Sequence, residues 1–321
     1  MPALPKPTIS YNYNLNTGIN ALRHYKDNEP GRTIPNKANN RLLLATWNIA
    51  NLGLQKRKPK DYKLLAEIIG WFDIIALQEV NDNLSGLRSI LSNLPNSYKA
   101  LFSDKAGNNE RMTFVYDSNK INLLENVGEI AVPPKDIKYI MLKGVNVEFS
   151  GFDRNPYIAS FQAGAFKLIL VNAHLYFGED KKADQDRRSL EAYAVARWAD
   201  LSRADKFAYT KDIIVLGDFN LPKLEKGDPI YDALTKRGLI MPEHSTQVGS
   251  NLENDKHYDQ IMFFPGATEQ KHTGNNGIFD FDGALFKKLW ESKTPAQFRN
   301  FLRYYISDHR PMWAEFKIGT N

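Results

Sequence analysis

From residue 41 onward the chain alternates short, continuous apolar runs with polar stops. Residues 42–47 run into Asn48, 73–78 into Glu79, 167–173 into His174, and 212–217 into Asp218. Toward the C-terminal end, 304–307 run into Asp308 and His309. Runs of this length, without period-two alternation, are expected of strands covered on both faces. Further strands are expected at 112–116, 156–162, 260–264 and 312–316. Between the runs, Tyr62, Leu65, Ile69 and Phe72 share one helical face after Asp61, which reads as an N-cap. Leu190, Ala194, Trp198 and Leu201 make a second helical stripe, with Arg187 and Arg188 read as part of a solvated face. A third helix is expected over 284–290. Residues 1–40 differ: they are rich in Pro, Asn and Tyr, carry turn signals and show no sustained period. They read as an irregular arm or cap, and residues 41–321 as one layered α/β domain of sheets with helices outside.

Composition narrows the chemistry more than the fold. The 321 residues are 42% hydrophobic and 25% charged, a globular balance. With no cysteine, a disulfide framework, a thiolate zinc site, an iron–sulfur cluster and a cysteine nucleophile are excluded. Forty-two Lys and Arg against 37 Asp and Glu give a net charge of +5, compatible with a polyanionic partner but not diagnostic of one. Met1-Pro2-Ala3-Leu4-Pro5-Lys6-Pro7 has no apolar core of a secretory signal, and no run is long enough to span a bilayer. The expectation is a protein without signal peptide or membrane segment, cytoplasmic by default and monomeric.

The polar stops carry the functional signal. Asn48, Glu79, His174, Asp218 with Asn220, and Asp308-His309 follow apolar runs, while Asp259 precedes one. Polar groups beside a core cost free energy unless they are hydrogen-bonded or hold an ion. If the run ends converge, their carboxylates repel one another, and a bound divalent cation relieves this most directly. An oxygen set of Asn48, Glu79 and Asp308, with Asp218 and Asn220 nearby, suits Mg²⁺ or Mn²⁺, with Ca²⁺ also compatible. Each piece has an ordinary reading alone. Gln78-Glu79 could be a strand exit, Gly217-Asp218-Phe219-Asn220 a capping turn, and His174 a satisfied buried histidine. Their order and joint occurrence change the odds.

The series Thr46-Trp47-Asn48-Ile49, Leu77-Gln78-Glu79-Val80, Asn172-Ala173-His174-Leu175, Gly217-Asp218-Phe219-Asn220, Tyr258-Asp259-Gln260-Ile261 and Ser307-Asp308-His309-Arg310-Pro311 resembles the endonuclease/exonuclease/phosphatase superfamily. The match spans residues 41–317 in family order. It implies a four-layer αββα sandwich of two mixed sheets with outer helices, like that of deoxyribonuclease I, and Mg²⁺-dependent phosphoester hydrolysis. By the same resemblance Glu79 is the principal metal ligand, assisted by Asn48 and Asp308. His309 and Asp259 form a His–Asp pair, and His174 donates to a phosphate oxygen. Asp218 and Asn220 position the attacking water and the phosphate. Whether Asp218 or His309 is the general base stays open.

Among the superfamily's branches, Glu110-Arg111-Met112-Thr113-Phe114-Val115-Tyr116 resembles a deoxyribonuclease I segment, which implies that Glu110 orients His174. Phe152-Asp153-Arg154-Asn155-Pro156-Tyr157 resembles a segment whose arginine grips phosphate, which makes Arg154 a candidate. The minor-groove tyrosine of that branch has no counterpart at Asn108 or Asn109. Gln55-Lys56-Arg57-Lys58-Pro59-Lys60 follows the Asn48 run, so Lys56 and Arg57 are expected at the rim of the site as contacts to a nucleic-acid backbone. The preferred reading is a low-specificity endonuclease acting on nucleic acid, DNA first. The alternatives are a sphingomyelinase-like phosphodiesterase or phosphatase of a lipid or small phosphoester, and an inactive binding member.

Overall fold

The apolar runs become the central strands of two sheets. A computed structural model of the protein describes residues 3–179, 181–244 and 248–319. Among these, the strands are β1 (Arg41–Leu52), β2 (Ile74–Asn81), β3 (Tyr98–Phe102), β4 (Glu110–Asp117), β5 (Ile121–Glu129), β6 (Tyr157–Ala163), β7 (Phe166–His174), β8 (Ile213–Asp218), β9 (Asp259–Phe263), β10 (His272–Ile278) and β11 (Met312–Lys317). The helices are α1 (Leu15–Asn28), α2 (Pro59–Ile69), α3 (Ser85–Leu91), α4 (Pro134–Ile137), α5 (Lys182–Ala204), α6 (Pro229–Thr235), α7 (Ala267–Lys271), α8 (Phe281–Ala284), α9 (Lys287–Ser292) and α10 (Pro295–Tyr305). One sheet has the order β10-β11-β1-β2-β4-β3, the other β5-β6-β7-β8-β9. Each is mixed, with a single parallel pair, β1 with β2 and β7 with β8.

Side-chain alternation within the runs explains why they are mostly apolar on both faces. Leu42 and Leu44 of β1 and Ile74 and Ala76 of β2 face the second sheet, where they meet Leu168 and Leu170 of β7 and Ile214 and Leu216 of β8. The intervening Leu43, Ala45, Trp47, Ile75 and Leu77 pack against α1, α2 and α10. On the far side, Ile169, Val171, Ile213 and Val215 pack under α5 and α6. Every central strand is therefore buried on both faces, and the αββα sandwich follows. No helix among the described residues is long and apolar enough to cross a membrane.

One polar layer crosses the interface between the sheets. Gln78 of β2 donates through Nε2 to Thr46 Oγ1 at 3.0 Å and to Asn172 Oδ1 at 2.7 Å. Asn172 of β7 donates in turn to the carbonyls of Leu77 and Thr113, both at 3.1 Å. All three side chains are fully buried, so each lost partner exposes an uncompensated polar group. Asn172→Ala is expected to lower unfolding free energy by about 1–3 kcal/mol in urea titrations. A loss below about 0.5 kcal/mol, the range of ordinary surface substitutions, would dismiss this layer as a stabilising element.

Four expectations are corrected by the fold. Residues 304–307 do not form a strand: the aromatic run is the last turn of α10, started by a Thr294–Gln297 capping box with Pro295 at the first position. Phe298, Phe301, Leu302 and Tyr305 give that helix its buried face. Asp61 is not the N-cap of α2; it sits in the first turn and accepts from the Lys58 amide at 2.6 Å. Residues 1–40 are not wholly irregular, since α1 lies within them and Leu22 is fully buried in the core. The helix expected over 284–290 breaks at Phe286, whose φ of 60° is left-handed, into α8 and α9. The edge strands β3, β5 and β10 carry no continuous apolar run, because an edge strand need not be buried on both faces.

Candidate active site

Strand direction and register bring the polar stops together. The parallel pairs β1/β2 and β7/β8 end at one edge of the sandwich, with Asn48 opposite Gln78 and His174 opposite Asp218. Strand β9 runs antiparallel to β8, so its first residue, Asp259, pairs with Asp218. Strand β11 runs antiparallel to β1 and begins at Met312 opposite Thr46, which delivers Asp308 and His309 to the same edge. Glu110, at the start of β4, pairs with Asn81 just beyond Glu79.

Local backbone chemistry then aims each group. The pairing of β2 slips on both sides of Glu79, whose φ of 57° is unusual for a non-glycine residue. The bulge is held by the Asn51 amide, which donates to Glu79 Oε2 at 2.8 Å. Asn220 also takes a left-handed conformation, with φ 49°, and donates through Nδ2 to the Leu175 carbonyl at 2.9 Å. On β8, Gly217 is required opposite Ala173 because a Cβ there would collide with the Ala173 carbonyl of β7. Ser307 ties the last loop to β1 by donating to the Asn48 carbonyl at 2.7 Å and accepting from the His309 amide at 3.1 Å.

The resulting constellation is dense in charge and mostly buried, with Asp308 and His309 the more exposed members. Asn48 donates through one Nδ2 to Glu79 Oε1 and to Asp218 Oδ2, each at 3.0 Å. His309 Nδ1 lies 2.8 Å from Asp259 Oδ2, and its Nε2 lies 3.8 Å from Asp218 Oδ2. His174 Nε2 approaches the same Asp218 oxygen at 3.6 Å. Its Nδ1 is 3.2 Å from Glu110 Oε2, close but without hydrogen-bond alignment. Asp308 receives Nε and a terminal nitrogen of Arg303 on one oxygen, both at 3.1 Å.

These positions set the protonation pattern. Burial raises the Glu79 carboxyl, and the Glu110 and Asp308 carboxylates add to the rise against His174. Burial acts the same way on Glu110 but is outweighed by His174 and Arg154, which bring it down to about 2. Asp218 is held below the usual carboxylate range, because His309 and His174 overcome its burial. Burial opposes charge on His309, yet the carboxylates of Asp259 and Asp218 raise it well above an ordinary imidazole. The site thus pairs ionised Asp218 with a positively charged His309.

A divalent cation fits this donor set. Asn48 Oδ1 is buried and has no hydrogen-bond partner, while the raised Glu79 carboxyl stands among other carboxylates. Asn48, Glu79 and the free side of Asp308 offer oxygen donors of the kind hard cations take. Single atoms of Asp218, Asp259 and His309 also lie within 4.8 Å of one another. That cluster is better explained by the His309–Asp259 hydrogen bond, which leaves Nδ1 no free lone pair.

The arginines and the lysine of the sequence reading sit differently from expectation. Arg57 is not a rim contact: its guanidinium is buried and donates to the carbonyls of Ala50, Tyr305 and Ile306, so it braces the last loop against β1. Lys56 is exposed, with its amide on Tyr304 Oη at 3.4 Å, and does not line the cleft. Arg154 does line the cleft, yet its nitrogens are engaged by the carbonyls of His174 and Leu175 and by Asp153. Arg188 is buried rather than solvated and donates to the Tyr176, Phe177 and Asn220 carbonyls, holding the loop after β7.

A cleft of about 580 Å³ opens over Glu79, His174, Asp218, Asn220, Asp308 and His309. Its outer wall includes Phe177, Tyr258, Glu253 and Arg303, to which the sequence reading assigned no role. Phe177 and Glu253 lie in loops with no local signal, and Arg303 lies on the helix whose end reads as a strand. Only Tyr258, beside Asp259, stood inside a recognised motif; its ring lies 5.7 Å from that of His309.

The fold recurs among known proteins. The chain is 27% identical over 306 residues to a protein named Deoxyribonuclease from Thioalkalivibrio sp. (strain K90mix), covering 89% of this chain and 74% of that one. An endonuclease/exonuclease/phosphatase family protein from Bacteroides thetaiotaomicron superposes with a TM-score of 0.56 at 19% identity, over 86% of this chain and 94% of the other. The human Nocturnin catalytic domain with bound sulfate superposes with a TM-score of 0.53 at 16% identity, over 88% and 95%. No family model matches. The structural likenesses establish the fold, and with the named relative they bear out the superfamily resemblance.

Proposed function

From a chain with the fold and motif series of the endonuclease/exonuclease/phosphatase superfamily, we propose a divalent-metal-dependent phosphodiesterase that cleaves nucleic acid, DNA first, as an endonuclease of low sequence specificity. Residues 41–321 form its catalytic unit, with 1–40 as a cap. The observation that carries this reading is the opposition of ionised Asp218 to charged His309 across one cleft, with Asn48 linking Asp218 to Glu79. The named deoxyribonuclease relative supports the polymer substrate.

The chain's own groups account for the chemistry. A phosphodiester is anionic, and negative charge concentrates on its non-bridging oxygens as water attacks phosphorus. His309 presents an N–H donor and positive potential to those oxygens, and His174 turns a ring nitrogen toward the same cleft. Asp259 fixes the His309 ring by accepting from Nδ1, so that Nε2 faces the cleft. Asp218, ionised and oriented by the amides of Asn48 and Asn220, accepts the proton of the attacking water. The new P–O bond forms as the ester P–O bond breaks, and the departing oxygen takes up the proton of His309 Nε2. Glu79, Asn48 and Asp308 would hold a divalent cation, which when bound would supply Lewis-acid neutralisation of the phosphate charge.

Supercoiled plasmid is the discriminating substrate. Wild-type protein is expected to nick it with Mg²⁺ or Mn²⁺, and EDTA is expected to abolish nicking. Restored divalent ion should recover it. Single-stranded DNA, RNA, sphingomyelin and p-nitrophenyl phosphate assayed in parallel separate the substrate classes. Robust turnover of a lipid or small monoester, with intact plasmid under every metal condition, would sink the nuclease reading.

A further inference from the structure

Two cavities share one side chain. Arg303 of α10 lines the cleft, and it also lines a second groove of about 230 Å³ between α10 and residues 4–9. The polar lining of that groove is Lys6, Thr8, Gln297, Asn300 and Arg303, with proline and aliphatic residues completing it. Among the described residues no carboxylate lines it, although acidic residues make up much of the cleft wall. Gln297, Asn300 and Arg303 recur every third residue, so they share one side of α10 and form a row that ends on Asp308.

The opposite wall is held in place. Tyr11 packs edge-on against Phe301 of α10, with ring centroids 5.8 Å apart. Tyr13 donates to Asp61 at 2.6 Å, and Lys60 donates to the Tyr13 carbonyl at 2.9 Å. Lys60, part of the basic run, thereby anchors residues 4–13 rather than contacting a ligand. Lys6 and Asn300 remain exposed on the two walls.

We propose that this groove is a backbone subsite, which carries the sugar-phosphate chain of one nucleic-acid strand away from the cleft past Arg303. Lys6 and neutral hydrogen-bonding groups, continued by Arg303 on its Asp308 partner, suit a polyanion that needs positioning without base readout. Continuity through Arg303 places the next part of a bound polymer there, and a small phosphoester filling only the cleft would not reach it. The inference rests on the nucleic-acid reading and sharpens it from a phosphodiester to a polymer strand.

The test compares two substrates on the full chain. Lys6→Glu and Asn300→Glu, singly and together, are assayed on a long oligodeoxynucleotide and on bis(p-nitrophenyl) phosphate, with Mg²⁺ or Mn²⁺. The ratio of kcat/KM for the oligomer to that for the small diester is expected to fall about 5–10-fold in each single variant. The salt dependence of oligomer binding should also lose about one unit of log–log slope. Ratios within about twofold of wild type, with an unchanged slope, overturn the groove assignment alone. Wild-type protein that hydrolyses the small diester but no polymer overturns the nucleic-acid reading and the groove together. Small-diester turnover in the same preparation reports folding, so a misfolded variant is recognised and replaced by Lys6→Gln.

Discussion

His309→Ala is expected to lower metal-dependent plasmid nicking about 10²–10⁴-fold, the range for loss of a positioned acid–base group. His309 lies between two carboxylates, 2.8 Å from Asp259 and 3.8 Å from Asp218, and is the cationic partner of both. Its removal takes away the donor facing the phosphate and leaves Asp259 buried without its partner. Asp259→Asn is the finer probe. The amide can still contact Nδ1, but it no longer stabilises charge on the ring, so kcat should fall while KM changes little. Nicking by His309→Ala within about twofold of wild type, in protein shown to be folded by circular dichroism, would remove this residue from the proposed machinery.

Trp47→Ala is expected to cost about 3–5 kcal/mol of unfolding free energy, the range for truncating a large buried aromatic side chain. Trp47 is fully buried in the layer between β1 and the outer helices, with the Phe281 ring centroid 5.7 Å away. It also donates through Nε1 to the His309 carbonyl at 2.7 Å, joining the core to the candidate active site. Trp47→Phe separates the two roles. It keeps most of the apolar volume and removes only the donor, so the stability loss should be near 1 kcal/mol. Activity should then fall more than stability, through a displaced His309. Equal stability losses in the two variants, measured by urea titration, would mean that packing around Trp47 contributes little.

The parts of the fold that were legible in the sequence share one cause. Strands buried on both faces are mostly apolar and admit a polar residue only where it is hydrogen-bonded, as Thr46, Gln78 and Asn172 are, so 42–47, 73–78, 167–173 and 212–217 stand out as apolar runs. Their polar stops stood out against them for the same reason. The aromatic run at 304–307 shows the limit of that signal: a short apolar stretch reads alike as strand or as the last turn of a helix. The cap at Thr294 was the local mark that favoured the helix. Helix α1 leaves no clear mark in the sequence because Gly18 and several polar residues interrupt its stripe, and Leu22 is buried by tertiary packing against α2 and the core.

Basic residues were the least legible group. Lys56, Arg57, Lys60, Arg154 and Arg188 look alike in sequence as solvated or phosphate-seeking cations. Arg57, Arg154 and Arg188 are buried instead, with their guanidinium groups turned onto backbone carbonyls around the site. A guanidinium has five donors and no acceptor, so it satisfies several loop carbonyls at once; spacing along the chain does not reveal which carbonyls will be near. Lys60 is engaged with the Tyr13 carbonyl for the same reason.

What the sequence by itself determined was the set of chemical groups and the motif order: oxygen and imidazole side chains at the ends of buried strands, with no thiol among them. Those follow from residue identity and from the cost of placing polar groups beside a core. Tertiary structure alone decided the rest. Strand direction and register, which pair residues far apart in sequence, put His174 against Asp218 and Asp218 against Asp259. The packing of α10 against residues 4–13 made Arg303 the shared wall of cleft and groove. These contacts depend on distances across the sandwich, which local sequence patterns do not encode.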